Sequence, residues 1–178
     1  MTVLGNRFGA GRERVYVLGA LISGLALVAG LAAPSSGIGA STPRCSTANL
    51  RVDRVGETGF TSHRSWDLAL RNVGSTTCHL NGYPGVALLN SGAVMMPTSV
   101  GHVAGPARNV VLHPWQRAYF SFTFAVSGPC SQAVFAYGVR IVPPSASPRL
   151  VWYAGKFDLC GPSPARVTVS PVMATRPF

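Results

Sequence analysis

Acidic residues are scarce in this sequence. Five Asp and Glu stand against 15 Lys and Arg among 178 residues, and charged residues make up only 11%, well under the roughly 25% of a typical soluble domain. The apolar fraction of 47% argues against disorder. After residue 40 the carboxylates are Asp53, Glu57, Asp67 and Asp158. A glycosidase needs two carboxylates facing one bond, whereas Asp53 and Glu57 fall at a predicted strand end and turn, which indicates a solvated face.

Sequence signatures of catalysis and metal binding are also missing. The sequence has no G-x-S-x-G or S-x-x-K motif, no phosphate-binding G-x-x-x-x-G-K loop and no C-x-x-C pair. The histidines (His63, His79, His102 and His113) form no H-x-H or H-x-x-x-H pair that would place two imidazoles on one metal. We therefore expect no enzyme and no cofactor, and we expect His79 to face solvent. The alternative is an extracytoplasmic metal-binding protein or enzyme using His102 and His113, which flank a long loop.

The N-terminal 40 residues have the composition of an export signal. Arg7, Arg12 and Arg14 precede a run without charges over residues 15–33, and a basic segment followed by an apolar segment is typical of a signal peptide. Cleavage after Ala40 is predicted. The alternative is an uncleaved membrane anchor, since 19 apolar residues can just span a bilayer. The predicted location is therefore secreted or cell envelope, with membrane anchoring as the variant.

Four cysteines follow this segment, namely Cys45, Cys78, Cys130 and Cys160. An even number of cysteines in an exported chain favours two disulfides. Four cysteines allow three pairings, and the spacings alone do not choose among them.

The rest of the chain has the pattern of short strands and turns. The 20 Gly and 14 Pro exclude a helical bundle and suit strands joined by tight turns. Segments such as 65–71 and 118–124 alternate polar and apolar residues, which predicts strands with one buried face. The expected core comprises Trp66, Leu68, Leu70, Phe120, Phe122 and Phe124. We predict an all-β, antiparallel sandwich of eight or nine short strands after an N-terminal signal helix, with residues 93–96 as a strand and residues 97–109 as a loop.

The predicted organisation has four parts. Residues 1–40 are the signal peptide or signal anchor, 41–48 a linker, 49–172 the disulfide-stapled sandwich domain and 173–178 a C-terminal tail. Within the domain, Gly82 and Gly85 can adopt positive φ around Pro84, and Tyr83 is expected to cap an edge of the core.

One stretch is more specific than the general strand pattern. Residues 72–86 read N-x-G-x-x-x-C-x-L-x-G-Y-P-G-V, with an early cysteine before them and a late cysteine pair after them. In these features the chain resembles the domain of unknown function 4232 family, a group of secreted actinobacterial domains, over about residues 45–172. It departs from the family after Pro114, where Trp115 replaces the usual Gly, and it lacks the lipid-modified cysteine of many members.

The resemblance implies an immunoglobulin-like β-sandwich in the envelope or the medium. It also implies sequential disulfides, Cys45–Cys78 and Cys130–Cys160, and it supplies no catalytic residues. The function expected from it is that of a non-enzymatic binding or structural module.

The excess of arginine is the remaining functional signal. After residue 40 there are 12 Lys and Arg against 4 Asp and Glu, so most basic side chains must face solvent, counterions or an anionic partner. The candidate anion-binding residues are Arg51, Arg54, Arg64, Arg71 and Arg117. The sequence does not identify the partner: an anionic envelope lipid or glycan, or another envelope protein, fits. The arginines are spread along the chain, so no nucleic-acid motif emerges.

Overall fold

A computed structural model describes residues 41–126, 132–144 and 150–177 of the chain. The predicted signal or anchor segment, including its helix, lies outside these residues, and so does Cys130. The described residues include no helical segment with the length and hydrophobicity of a membrane span.

The described residues form an all-β structure. Ten strands occur within them, one or two more than predicted, and a short 3₁₀-helix, Thr47–Asn49, precedes the first. The strands are β1 (Leu50–Gly59), β2 (His63–Asn72), β3 (Cys78–Asn81), β4 (Gly85–Leu89), β5 (Thr98–His102), β6 (Asn109–Leu112), β7 (Arg117–Ala125), β8 (Ala133–Val142), β9 (Leu150–Cys160) and β10 (Ala165–Val169).

The strands assemble into three sheets. The largest has the order β1-β2-β7-β10-β5, a second has the order β4-β8-β9, and β3 pairs with β6. All pairs are antiparallel except β10 with β5, which is parallel. The all-β, antiparallel architecture predicted from the sequence is confirmed, with β10–β5 as one parallel pair among the described strands.

The core lies between the five-stranded and the three-stranded sheets. Trp66 of β2 packs with its ring centroid 5.4 Å from that of Trp152 and 4.8 Å from that of Phe157, both on β9. Phe124 of β7 also contacts Phe157, at 5.3 Å. The six predicted core residues are all buried, at 2% exposure or less. The alternation in β2 and β7 therefore predicted the inner face correctly.

The segment after β4 differs from the prediction. Residues 93–96 do not form a strand: Met95 makes an isolated bridge to Leu89, and the Met96 N–H donates to the Leu88 carbonyl. The strand is instead β5, which lies inside the predicted loop of 97–109. β5 has no clear alternation, because most of it is exposed and it is held by backbone pairing with β10.

The predicted linker and tail both contact the sandwich. Cys45, in the predicted linker, is buried and forms a disulfide with Cys78 at the start of β3. Its backbone N–H also donates to the His79 carbonyl. At the other end, Met173 exchanges two backbone hydrogen bonds with Tyr119 of β7. The Cys45–Cys78 pair implied by the family resemblance is thus present, and the Cys130–Cys160 pair stays a prediction because Cys130 lies outside the described residues.

Candidate anion-binding surface

Three of the five candidate arginines lie side by side across one sheet. Arg51 of β1 is the cross-strand partner of Arg71 of β2, which in turn is the partner of Arg117 of β7. Cross-strand partners share a face of the sheet and have Cβ atoms about 4.5–5.5 Å apart. This face is opposite to the core, because Arg71 follows the buried Leu70 in the alternation of β2. We call Arg51, Arg71 and Arg117 the arginine row.

One carboxylate lies beside the arginine row. Asp53 Oδ2 is 3.0 Å from Arg71 Nε and 3.4 Å from Arg117 Nε, and all three side chains are partly exposed. Arg51 instead donates from Nη1 to the Leu50 carbonyl at 2.9 Å. Among the described residues, three arginines therefore face a single carboxylate, and two positive charges stay uncompensated. Like charges directly opposite each other destabilise a sheet, so an external anion would be favourable here.

The other two candidate arginines lie on the opposite face of the sheet. Arg54 is the cross-strand partner of the core residue Leu68, and its guanidinium lies 5.5 Å from the centroid of the Trp66 ring. Both Arg54 and Arg64 pair with Glu57, at 3.3 and 3.0 Å. These two arginines have a carboxylate partner and cover an edge of the aromatic core. The structure thus divides the five predicted residues and leaves the arginine row as the stronger candidate for anion binding.

A tryptophan adjoins the arginine row. The Arg71 guanidinium lies 5.8 Å from the centroid of the Trp115 ring, and Trp115 is 65% exposed. Arginine stacks favourably on aromatic rings. In the sequence, Trp115 is visible only as a departure from the family pattern. Its position between His113-Pro114 and Gln116-Arg117 is a turn signal, but no local pattern indicates that the turn ends beside Arg71.

Asn72 positions the turn that carries Trp115. It is fully buried, and its side-chain Nδ2 donates to the carbonyls of Thr76 and Leu112 at 2.9 and 3.1 Å. Its backbone carbonyl accepts from the Trp115 N–H at 2.7 Å, and its backbone N–H donates to the Gln116 carbonyl at 2.9 Å. Because every one of these groups is satisfied, a single buried residue ties β2, β6 and the following turn together.

Two adjoining hollows lie along the same face of β7. The smaller, about 370 Å³, is lined by Val110, Val111, Trp115, Gln116, Arg117, Tyr119 and Ala174. The larger, about 610 Å³, lies further along β7 beside Ser121 and Thr123, between the 103–110 segment and residues 170–177. The two share Val110 and Ala174. The first combines aromatic and cationic side chains, whereas the second is mostly apolar with Arg108 on its wall.

The histidines have separate surroundings. The His102 ring lies tilted against the Tyr83 ring with centroids 4.4 Å apart, whereas His113 Nδ1 lies 3.1 Å from Thr77 Oγ1. His79 is half-buried, not solvent-facing as predicted, because its Nδ1 lies 2.8 Å from the Thr42 carbonyl. No group of three or more potential metal ligands occurs within the residues that the structure describes.

Tyr83 packs against the core, as the sequence predicted. Its hydroxyl also donates to the carbonyls of Val103 and Gly105, at 2.9 and 3.2 Å, and so holds the segment after β5. Gly82 has a φ of 110°, a conformation that L residues with a side chain rarely adopt. Gly85 does not have positive φ.

An ion pair between Asp67 and Arg176 lies on the same face of the sheet as the arginine row. Asp67 of β2 is buried, and its Oδ2 lies 3.1 Å from Nη2 of Arg176, which is about half exposed. The guanidinium passes over Gly56 of β1, where an added Cβ would collide with Arg176 Nη2. Arg176 therefore reaches the buried carboxylate through a space that only glycine leaves open.

Comparison with known families identifies the group to which this sandwich belongs. The family model described as "Domain of unknown function (DUF4232)" matches residues 45–173. The chain belongs to this family. No curated protein and no solved structure matches it. For the DUF4232 stretch of residues 72–86, the structure supplies a physical account: Asn72 is the buried hub, and a Cβ at Gly74 would lie 2.8 Å from Asn49 Cγ. These motif residues build the domain.

Proposed function

We propose that this DUF4232 protein is an exported, non-enzymatic module that associates with anionic components of the cell envelope through the arginine row. The observation that carries the proposal is the register of Arg51, Arg71 and Arg117 with a single carboxylate, Asp53, beside them. Export is supported by the basic and then apolar pattern of the first 33 residues. The anion is a lipid phosphate or an acidic group of a wall glycan.

The expected association is weak and salt-dependent. The side chains of Arg71 and Arg117 are 29% and 40% exposed, so solvent and ions reach them. Interactions between such groups are largely screened beyond about 10 Å at 0.1 M ionic strength. We therefore expect binding to fade between about 0.05 and 0.5 M salt. A site of this kind gives reversible attachment to a charged surface.

The test uses the purified full chain and a matched variant, Arg51→Gln/Arg71→Gln/Arg117→Gln. One arm measures co-sedimentation with vesicles of phosphatidylglycerol and phosphatidylcholine against vesicles of phosphatidylcholine alone. The other arm measures retention on polygalacturonate-agarose against plain agarose. Any contribution of the apolar N-terminal segment is common to both chains, so the difference between them reports the arginine row.

We expect the wild-type chain to bind at least one anionic material at low salt and to bind it about tenfold more tightly than the variant. Arg54→Gln/Arg64→Gln serves as the control, because those arginines pair with Glu57 on the other face. Equal binding to anionic and neutral materials, or equal binding by wild type and the arginine-row variant, would contradict the proposal.

A further inference from the structure

Trp115 occupies a backbone position suited to glycine. The turn His113-Pro114-Trp115-Gln116 is closed by a hydrogen bond from the Gln116 N–H to the His113 carbonyl at 3.1 Å, and Trp115 has a φ of 68°. Proline at the second position and positive φ at the third are the features of a type II turn, which favours Gly or Asn at the third position. A bulky residue there is a genuine conformational outlier.

Packing in the hydrophobic core does not explain why a tryptophan occupies position 115. Trp115 is 65% exposed, and it lies outside the core cluster that contains Trp66. The strained backbone is held by its surroundings, since Asn72 accepts from the Trp115 N–H and donates to the Gln116 carbonyl. Residues kept in rare conformations by the structure around them concentrate at functional sites. The exposed indole is therefore a candidate for contact with a ligand.

The hollow beside Trp115 indicates the chemistry of that ligand. Its volume of about 370 Å³ is at the small end of the 300–1,000 Å³ range of ligand sites, which suits a single compact ring. Trp115, Gln116, Arg117 and Tyr119 line the hollow. Gln116 Oε1 already accepts from the His113 N–H at 3.1 Å, and Arg117 Nε lies 3.4 Å from Asp53 Oδ2, so a ligand would use the Gln116 amide nitrogen and the terminal nitrogens of Arg117. A sugar ring has an apolar C–H face and a rim of hydroxyls, and a carboxylate on that rim matches a guanidinium.

A lipid tail fits this hollow less well. An acyl chain is bound by an apolar wall, whereas Gln116, Arg117 and Tyr119 would each lose water without gaining a polar partner. An acidic saccharide can hydrogen-bond to all three. Arg71, stacked near the indole, adds a second positive charge to the same neighbourhood.

We propose that the hollow formed by Trp115, Gln116, Arg117 and Tyr119 binds one acidic sugar unit of an envelope glycan, with the indole stacked on the ring and Arg117 on the carboxylate. The proposal rests on the proposed function, because it chooses a glycan as the source of the anion. Trp115 is thus assigned a role in binding, and this role explains why a tryptophan occupies a backbone position that strains it.

The test is a titration of the full chain with tetragalacturonate, and neutral maltotetraose serves as the reference ligand. Binding is measured by tryptophan fluorescence and by calorimetry. The variants are Trp115→Gly, Trp115→Phe and Phe60→Ala. Phe60 is the matched control, because it is 63% exposed and lies in a different turn, between β1 and β2. The melting temperature of each variant is measured in the absence of sugar.

We expect Trp115→Gly to weaken binding of tetragalacturonate at least tenfold while its melting temperature stays equal or rises by about 3 °C, because the positive φ no longer carries a side chain. Trp115→Phe should retain part of the affinity, and Phe60→Ala all of it. This combination separates a binding residue from a structural one, whose removal lowers the melting temperature.

The inference would be overturned by unchanged affinity of Trp115→Gly, by a lower melting temperature of that variant, or by equal affinity for maltotetraose. A wild-type chain that binds anionic vesicles but not tetragalacturonate refutes this inference alone. A wild-type chain that binds neither vesicles, polygalacturonate nor tetragalacturonate refutes the proposed function as well.

Discussion

The two faces of the β2–β7 pair are built from alternate residues of the same two strands but are held by different forces. On the inner face, Trp66 packs among Phe122, Phe124, Trp152 and Phe157 with ring centroids 4.7–5.9 Å apart. On the outer face, the arginine row and the Asp67–Arg176 pair lie partly in solvent. Apolar burial therefore stabilises the fold, while the outer face keeps charged side chains in contact with solvent.

The largest effect is expected on the inner face. Phe122→Ala removes a fully buried ring and should lower the free energy of unfolding by about 3–5 kcal/mol. Thr123→Ala, one residue away on the outer face, should cost about 1 kcal/mol, since it removes one partly buried hydrogen bond to Ser65. Urea denaturation of both variants measures the contrast, and similar losses would mean that the two faces do not differ as described.

The disulfide belongs to neither face and ties the chain before β1 to β3. Cys45→Ala/Cys78→Ala opens a loop of 33 residues and should lower the free energy of unfolding by about 3–4 kcal/mol in the chain-entropy model. Because the disulfide lies away from the aromatic contacts of β2, β7 and β9, we expect the aromatic core to stay intact in the folded variant. Near-ultraviolet circular dichroism checks this, and loss of the tryptophan signal under native conditions would count against it.

A smaller effect is expected from the charged pair on the outer face. Arg176→Ala leaves the buried Asp67 carboxylate without this partner. Because Arg176 is about half exposed, we expect a loss of about 1–2 kcal/mol, below the 3–5 kcal/mol of a fully buried pair. Arg176→Lys should recover part of it. Thermal unfolding of both variants measures the difference, and no change in either would contradict a stabilising role of the Asp67–Arg176 pair.

The smallest effect is expected in the arginine row. Arg51→Gln removes one of three neighbouring positive charges, so stability should change by no more than about 0.5 kcal/mol, in the stabilising direction at low salt. Added salt should remove the gain. Thermal unfolding at two ionic strengths is the measurement. A destabilisation above 1 kcal/mol would assign Arg51 a structural role and weaken the contrast between the faces.

The inner face of β2 and β7 could be predicted from the sequence, whereas the burial of residues on the outer face could not. Strict alternation in β2 and β7 identified all six inner residues, because the side chains of successive strand residues point to opposite faces. It also predicted a solvated opposite face, yet Asp67 and Ser121 are buried there. Residues 170–176 approach that face from a distant part of the chain, and local periodicity carries no information about such a segment.

The candidate site was predictable only in part. Composition and charge named the five arginines, and the structure gathered three of them through the register of β1, β2 and β7. Alternation alone places Arg51 and Arg54, three residues apart in β1, on opposite faces. Register depends on long-range pairing, so the sequence could not show that Arg51, Arg71 and Arg117 lie side by side. Trp115 was visible as a departure from the family pattern, but its positive φ and its place beside Arg71 required the structure.

Because Arg176 passes over Gly56, the effect of a substitution at position 56 depends on which residue occupies position 176. The two positions are therefore expected to evolve together, although they lie far apart in the sequence. Any side chain at position 56 meets the guanidinium, and its Cβ would also lie 2.9 Å from Asp67 Oδ2. A substitution at position 56 is therefore harmful while Arg176 is in place and milder once a shorter residue has replaced it. The order in which such changes arise decides which of them a lineage can keep.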